Sequence, residues 1–544
     1  LGKYRNWLSA RPAIAPLKAH KRIKNISMLL IGGFQPMFNP TGWIEKYQKF
    51  VSAHAIQPPA KKEAVPNKNL NVTGVIFTRS FYLHHTLSAA VTPLERRGCN
   101  RLSFRPAIRY HNAQHTWQPM PRIENPMAYP RMLRLRQKFP RPKVENIPGA
   151  IRDTLTKLNL QSKIKPGQTV ALTAGSRGIA NIPVILKTVV QHLRDLGAKP
   201  YLVPAMGSHG GAVAEGQTEV LHRYGITEEF VGAPIRSSME VVQLGSTPEG
   251  WPVYLDKNAS QADHIGVIGR VKPHTNYAGP IESGLMKMMM IGLGKRHGAA
   301  HYHRLLLDLP YDPVVRAVGR FMRARAPIAF GLCTVENGYD ETAHLEACLP
   351  ADFEPVEERL LVKAKEWLGR LPFHEADLLI IDEIGKDISG SGMDTNVVGR
   401  KRALRTETVL DQPDMRFIFV RGLTEHTHGN ACGIGFSNFV TTRLVKGMDY
   451  NVTRINCVTA GYPEGANIAV HYDTDREVID TALSIIGTRN PDQARVMHIK
   501  NTLMLAEVEV SEACLKDLKP RTDFDVLKGP YELAFDAQGN MTAV

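Results

Sequence analysis

Three times between residues 168 and 274 a short apolar run ends in a polar, mostly glycine-bearing turn: QTVALTAG before SRGIANIP, KPYLVPAM before GSHGG, and ADHIGVIGRV before KPH. The first two turns lead into helical patterns, one over about Pro183 to Leu196 with Val184, Leu186, Val189 and Leu193 on its apolar side, the other running towards Tyr224. Strand, loop and helix in alternation imply a parallel α/β sheet. Ligands of such sheets collect at the carboxyl ends of the strands. Those ends carry Arg177, His209 and the Lys272/His274 pair. A polar residue in a loop is ordinary. Its repetition at equivalent topological positions is what points to a site.

The third strand opens the stretch from Lys272 to Arg304, KPHTNYAGPIESGLMKMMMIGLGKRHGAAHYHR. It brings His274, Lys287, His297, His301 and His303 together among glycine and methionine rather than solvating acid. The PHTNYAGP loop places His274 on a loop, and the absence of proline from Ile281 onward places Lys287 on a helix. Met286, Met288, Met289 and Met290 read as core filler. Lys287, inside the apolar run Leu285 to Ile291, must snorkel, pair or react, because an unpaired buried ammonium is costly.

A chain of 544 residues is too long for one compact domain. Its net charge of +16 is not a nucleic-acid footprint on a folded surface, because residues 1–131 alone hold 20 Lys and Arg against four Glu and no Asp. The remaining 413 residues are neutral, with 48 basic and 48 acidic side chains. Residues 1–131 lack periodicity and read as a basic extension that does not form a domain. A targeting segment is one reading of them and upstream sequence ahead of a start at Met132 the other. The body reads as two α/β domains with mostly parallel sheets and a site cleft between them, over 132–345 and 346–544. A charged helix at about Phe353 to Leu368 opens the second pattern, which continues with DLLIIDEI, MRFIFVRGL and the rich loops 385–400 and 424–435. Neither loop has a phosphate-loop or dinucleotide spacing. Six scattered cysteines without a C-x-x-C pair argue against an iron–sulfur or structural zinc site and fit a reducing cytoplasm. No apolar run is long enough to span a membrane. A soluble cytoplasmic protein, binding neither nucleic acid nor membrane, is expected.

An arginine suits a carboxylate because its planar fork donates two parallel hydrogen bonds. Two imidazoles on opposite faces of one carbon suit a reaction run in both stereochemical directions, each serving as base for one enantiomer and acid for the other. In order and spacing, residues 140–510 resemble the nickel-pincer-nucleotide-dependent lactate racemase family. The resemblance makes Arg177 in GSRG the substrate carboxylate ligand, and His209 in GSHGG and His274 in KPH the two catalytic bases. It makes Lys287 the covalent holder of the cofactor, the nickel complex of pyridinium-3,5-bisthiocarboxylic acid mononucleotide, and His303 the nickel ligand, with His301 in reserve. Two residues apart on a helix, those two histidines point about 200° away from each other, so one of them faces the site. The resemblance also implies racemisation or epimerisation of a small 2-hydroxy acid by hydride shuttling, and a dependence on cofactor-synthesis proteins. Ala174 stands where the family carries an acid, and GG follows the G-[ST]-H motif in place of Arg-Pro. These departures concern the substrate more than the chemistry.

Two other readings remain open on the residues alone. His297 and His301, four apart, would share a helix face as the ligands of a metal hydrolase, although HGAAH lacks the glutamate of H-E-x-x-H. A carboxylate-binding protein without turnover would keep the same pocket.

Overall fold

The computed structural model describes residues 127–176, 178–401, 409, 411–516 and 521–544, all within one compact unit, Gln114–Val544. The strands in chain order are β1 (Met132–Gln137), β2 (Thr169–Ala174), β3 (Lys199–Pro204), β4 (Val241–Ser246), β5 (Pro252–Asp256), β6 (His264–Arg270), β7 (Ile328–Glu336) and β8 (Thr342–Cys348). They continue with β9 (Glu375–Ile384), β10 (Asp414–Leu423), β11 (Phe439–Thr441), β12 (Val470–Tyr472), β13 (Val496–Ile499), β14 (Glu507–Ser511) and β15 (Phe524–Tyr531). The longer helices are α1 (Ile147–Thr156), α2 (Ile182–Asp195), α3 (Ala214–Arg223), α4 (Lys295–Leu305), α5 (Tyr311–Arg325), α6 (Phe353–Trp367), α7 (Tyr450–Thr459) and α8 (Asp475–Ser484).

The first sheet has the order β3-β2-β6-β7-β8. Its first four strands are parallel and β8 closes it antiparallel. Val170, Leu172 and Ala174 of β2 enter one apolar cluster with α1 and α2, while Ala171 between them enters another with α5, α6 and the methionine stretch. This alternation explains the unbroken apolar run: each face of the strand is covered by helices, so no position can be polar unless it is hydrogen-bonded. Thr173 satisfies that condition, exchanging hydrogen bonds with the backbone of Ile268 at 2.8 and 3.1 Å.

The second sheet has the order β12-β11-β10-β9-β13-β14-β1-β15. It is parallel from β12 to β13 and antiparallel thereafter. Leu379 and Ile381 of β9 face one cluster, Leu378 and Ile380 the other. A capping box of Thr474 with Glu477 starts α8. Both sheets are thus mostly parallel and helix-covered, an α/β architecture.

Two segments lie across the expected domain boundaries. β1, at the head of the 132–345 segment, is hydrogen-bonded between β14 and β15 of the second sheet. α6, counted with the second pattern, buries Phe353, Val356, Leu360 and Leu361 in the core of the first sheet. A helix's sequence shows which of its faces is apolar but not which sheet receives that face. Among the described residues no helix is long and apolar enough to cross a membrane.

Candidate active site

Each strand end of the first sheet delivers a chemically capable residue, and each is braced from outside its own loop. After β2 comes Ser176, whose hydroxyl lies 2.5 Å from Nδ1 of His209 in the loop after β3. Arg177, the expected carboxylate ligand, lies outside the described residues. The His209 loop is held from beneath. Gln217 on α3 donates to the carbonyls of Gly207 (3.0 Å) and His209 (3.2 Å). Its own carbonyl accepts from Lys295 at 2.5 Å. Lys295 is fully buried, donates to the Pro204 carbonyl (2.7 Å) and stands 3.5 Å from Asp256. One ammonium at the start of α4, the helix that also bears His301 and His303, therefore anchors the turn carrying His209. Nothing in the local pattern around Lys295 marks it as internal.

After β6, the backbone N–H of His274 donates to Glu282 (2.8 Å), and Nδ1 of the ring accepts from the N–H of Asn276 (3.0 Å). The ring stacks on Tyr277 at 4.2 Å, and Tyr277 in turn on Tyr311 at 4.4 Å. Burial pushes His274 well below the ordinary imidazole value, and the positive charges of Lys287, Lys401 and Lys272, with His303, add to the shift. A neutral ring accepting at Nδ1 keeps its proton on Nε2.

Lys287 ends the short helix Leu285–Lys287, and a π-helical turn over Met288–Gly292 follows. Such turns recur at functional sites. Glu357 of α6 accepts from the N–H of Met286 (3.2 Å). Burial pushes this carboxyl up to about 8 against those backbone hydrogen bonds. Gly284 allows the approach: a Cβ there would lie 2.0 Å from Glu357 Oε1, and its φ of +152° suits glycine. Met286, Met289 and Met290 are core, as their spacing suggested.

His303 faces the same space. Burial, and then the Lys287 charge, push it down to about 4, opposed by a hydrogen bond to the Thr459 backbone at the end of α7. Its Nδ1 is buried and has no hydrogen-bond partner. His301 turns elsewhere, towards Tyr254 at 6.3 Å and beside His297 and Arg304. The structure thus brings His274, Lys287 and His303 into mutual electrostatic reach, and pairs His209 with Ser176.

The stretch is not free of acid. Glu282, 1% exposed, receives Lys365 and Lys401 at 2.6 Å each, and Glu357 comes from α6. The second sheet closes on the His274 loop through Thr395, which donates to the Thr275 carbonyl (2.6 Å), and Asn396, which donates to the His274 carbonyl (3.3 Å). Asp394 stands 3.8 Å from Lys272. Ser176, Gln217, Glu282, Lys295, Glu357 and Thr459 lie far apart in sequence. Of these Glu282, eight residues after His274, and Lys295 sit inside the motif-bearing stretch. For the hydrolase reading, His297 and His301 flank Tyr254, and no group of three His, Cys, Asp or Glu poised for a metal occurs among the described residues.

A mostly parallel α/β sheet whose strand ends gather imidazoles and a lysine is the architecture the structure defines. Residues 130–312 match the family model of the lactate racemase N-terminal domain. Among solved structures it is similar to the lactate racemase apoprotein from Thermoanaerobacterium thermosaccharolyticum, at 12% identity over 68% of this chain and 93% of that one, with a TM-score of 0.39. It is also similar to a structural-genomics protein from Thermotoga maritima, at 12% identity over 62% of this chain and 86% of that one, with a TM-score of 0.41. No curated protein matches the chain.

Proposed function

We propose that the chain is an isomerase that racemises or epimerises a small 2-hydroxy acid with a nickel pincer nucleotide held covalently by Lys287. The observation that carries this reading is His303. A buried ring nitrogen without a partner, on an imidazole that burial and the Lys287 charge keep neutral and a backbone carbonyl orients, has the preparation of a metal ligand; His301 Nε2 is also unpartnered, but that ring lies against Tyr254. Lys287 lies beside it, as a lysine-tethered group with its metal on His303 requires. The residues present fit the group, with Lys287 as the attachment point and His303 as the protein's ligand to nickel. The chemistry the cofactor supplies when bound is reversible acceptance of hydride from the carbinol carbon.

The rest is done by the chain. Arg177 binds the substrate carboxylate in a two-bonded fork. His209, its Nδ1 fixed by Ser176, presents Nε2 to the substrate hydroxyl and takes its proton. His274 holds its proton at Nε2 while Asn276 occupies Nδ1, so it enters as the donor. It accepts a proton at Nε2 only after a shift of its own proton to Nδ1, which displaces the Asn276 N–H. The stacked tyrosines and the 385–401 loop exclude water from that ring.

The test is intact-mass and metal analysis of the full chain produced together with cofactor-synthesis proteins, alongside a chiral assay over a panel of 2-hydroxy acids. A covalent adduct that disappears in Lys287→Ala, nickel that disappears in His303→Ala, and racemisation of at least one acid are expected. Nickel-free protein of unmodified mass would overturn the proposal.

A further inference from the structure

At the carboxyl ends of β9 and β10 two thiols meet. Cys432 lies in the loop after β10, and Cys457 on α7. Their Sγ atoms are 3.5 Å apart. The Tyr462 hydroxyl is 3.3 Å from Cys432 Sγ, and the Gly390 carbonyl, which also accepts from the Lys386 ammonium, is 3.9 Å from it. The loop carrying Cys432 cannot slide away. Gly433 crosses the 389–392 loop so closely that a Cβ there would lie 1.9 Å from the Ser391 carbonyl oxygen.

We infer that Cys432 and Cys457 form a modification site, a dithiol that reacts with a small hydroperoxide and closes to a disulfide. Two sulfurs 3.5 Å apart have to close to the bond length of about 2.05 Å. Electrostatics distinguishes the two. The hydrogen bond from Cys457, with the Lys386 charge and the Tyr462 hydroxyl, holds the Cys432 thiol below its ordinary value against burial, whereas the same pairing pushes Cys457 up. Cys432 is therefore the nucleophile and Cys457 the resolving thiol. In the first step the Cys432 thiolate attacks the peroxide. The O–O bond breaks, sulfur is oxidised to sulfenic acid, and the leaving alkoxide or hydroxide takes a proton from solvent. In the second, the Cys457 sulfur displaces hydroxide from that sulfenic acid, and with the Cys457 proton the hydroxide leaves as water. In sum, two thiols and one hydroperoxide give a disulfide, one water and one alcohol, or a second water when the oxidant is hydrogen peroxide.

The other described cysteines serve as internal controls. All are buried, as Cys432 and Cys457 are, but the Cys514 thiol is pushed up to about 11 and Cys333 is pushed well above the ordinary value by its hydrogen bond to Cys348 and by burial. At Cys514 burial outweighs the Ser511 hydrogen bonds and the Arg495 charge. The test treats the reduced full chain with hydrogen peroxide under native conditions, then alkylates and digests it. Arg443, Lys446 and Arg454 separate the two cysteines for peptide mapping. A 432–457 cross-link with loss of two hydrogens is expected, formed at least about ten times faster than any oxidation of Cys514. Cys457→Ser should instead trap sulfenic acid on Cys432 with dimedone, and Cys432→Ser should leave Cys457 reduced. A cross-link that forms only after denaturation, or oxidation of Cys432 no faster than that of Cys514, would overturn the inference. None of these readouts involves the racemase reading.

Discussion

The two halves of the molecule each bury a histidine among charges, and they push it in opposite directions. Around His274 and His303 the neighbours are cations: burial joined by Lys287, Lys401 and Lys272 drives the first ring neutral, and burial joined by Lys287 the second. Around His498, on β13, the neighbours are carboxylates. Nε2 lies 2.7 Å from Asp382 and Nδ1 3.0 Å from Glu509. Burial opposes the charge on His498, but those two hydrogen bonds outweigh it and hold the ring above its ordinary value. The network is closed on all sides. Arg421 joins Asp382 to Asp475, Arg443 pairs with Asp475, and the N–H of Val544 donates to Asp382 at 2.8 Å. The same side chain is thus a satisfied cation where it ties β9, β13, β14 and the chain's last residues together, and an under-satisfied neutral base where chemistry is proposed. Balanced charge serves the fold, and unbalanced charge poises a site.

The contrast breaks most visibly at His498. Replacing it by leucine leaves Asp382 and Glu509 facing an apolar group. Both keep other partners, Arg421 for the first and Tyr531 at 2.7 Å for the second. The cost should therefore fall near the low end for a broken buried ion pair, about 3 kcal/mol. Denaturant unfolding of the full chain, followed by a signal from the second sheet, measures it. A loss under about 1 kcal/mol would mean that the carboxylates do not depend on the imidazolium.

What the sequence disclosed follows the same division. The strand–loop–helix alternation, the burial of the methionines and the grouping of His274, Lys287 and His303 were readable because each is local: a period, a run, or a spacing on one stretch of chain. Helix geometry likewise separates His301 from His303, two positions apart, without saying which of them would ligate a metal. The braces were not. Glu357 reaches Met286 from 71 positions away, and Lys295 reaches Gln217 from 78. A lone Glu or Lys carries no sign of a distant partner, and burial of a charge is decided by the partner rather than by its neighbours in sequence. β1 joined the far sheet for the same reason, because alternation tells which face of a strand is buried but not which strand it pairs with.

pH sharpens the comparison from another side. His498 has a raised value when folded, so its contribution is complete below the unfolded imidazole value of about 6.5 and is lost as pH rises through the folded one. Burial raises Asp382 and Glu509, but His498 together with Val544 and Arg421 for the first, and with Tyr531 and Arg134 for the second, holds both low, so their contribution is present above the unfolded carboxylate range and is lost as pH falls through their folded values. The network should be strongest in the window between these limits. The stability difference between the wild-type chain and His498→Leu should accordingly shrink from pH 6 to pH 9 by denaturant titration at each pH. A difference constant over that range would show that His498 is not charged in the folded state.

The smallest effect belongs to the opposite pole. His303 has a ring nitrogen that bonds to nothing, and its one backbone partner, Thr459, is an exposed residue whose carbonyl water can serve instead. Replacing His303 by alanine in the cofactor-free chain should change stability by no more than about 1 kcal/mol in either direction, the range of sites that make no closed network. Neutral burial also means that the folded ring takes up no proton where the unfolded one would, so wild-type His303 weakens the fold as pH falls below about 6.5. The alanine variant should therefore gain on the wild type between pH 6.5 and pH 5, the reverse of the behaviour at His498. If His303→Ala instead cost as much as His498→Leu, the ring would be a structural element, and the division between a balanced half and a poised half would fail at the residue that most needs it.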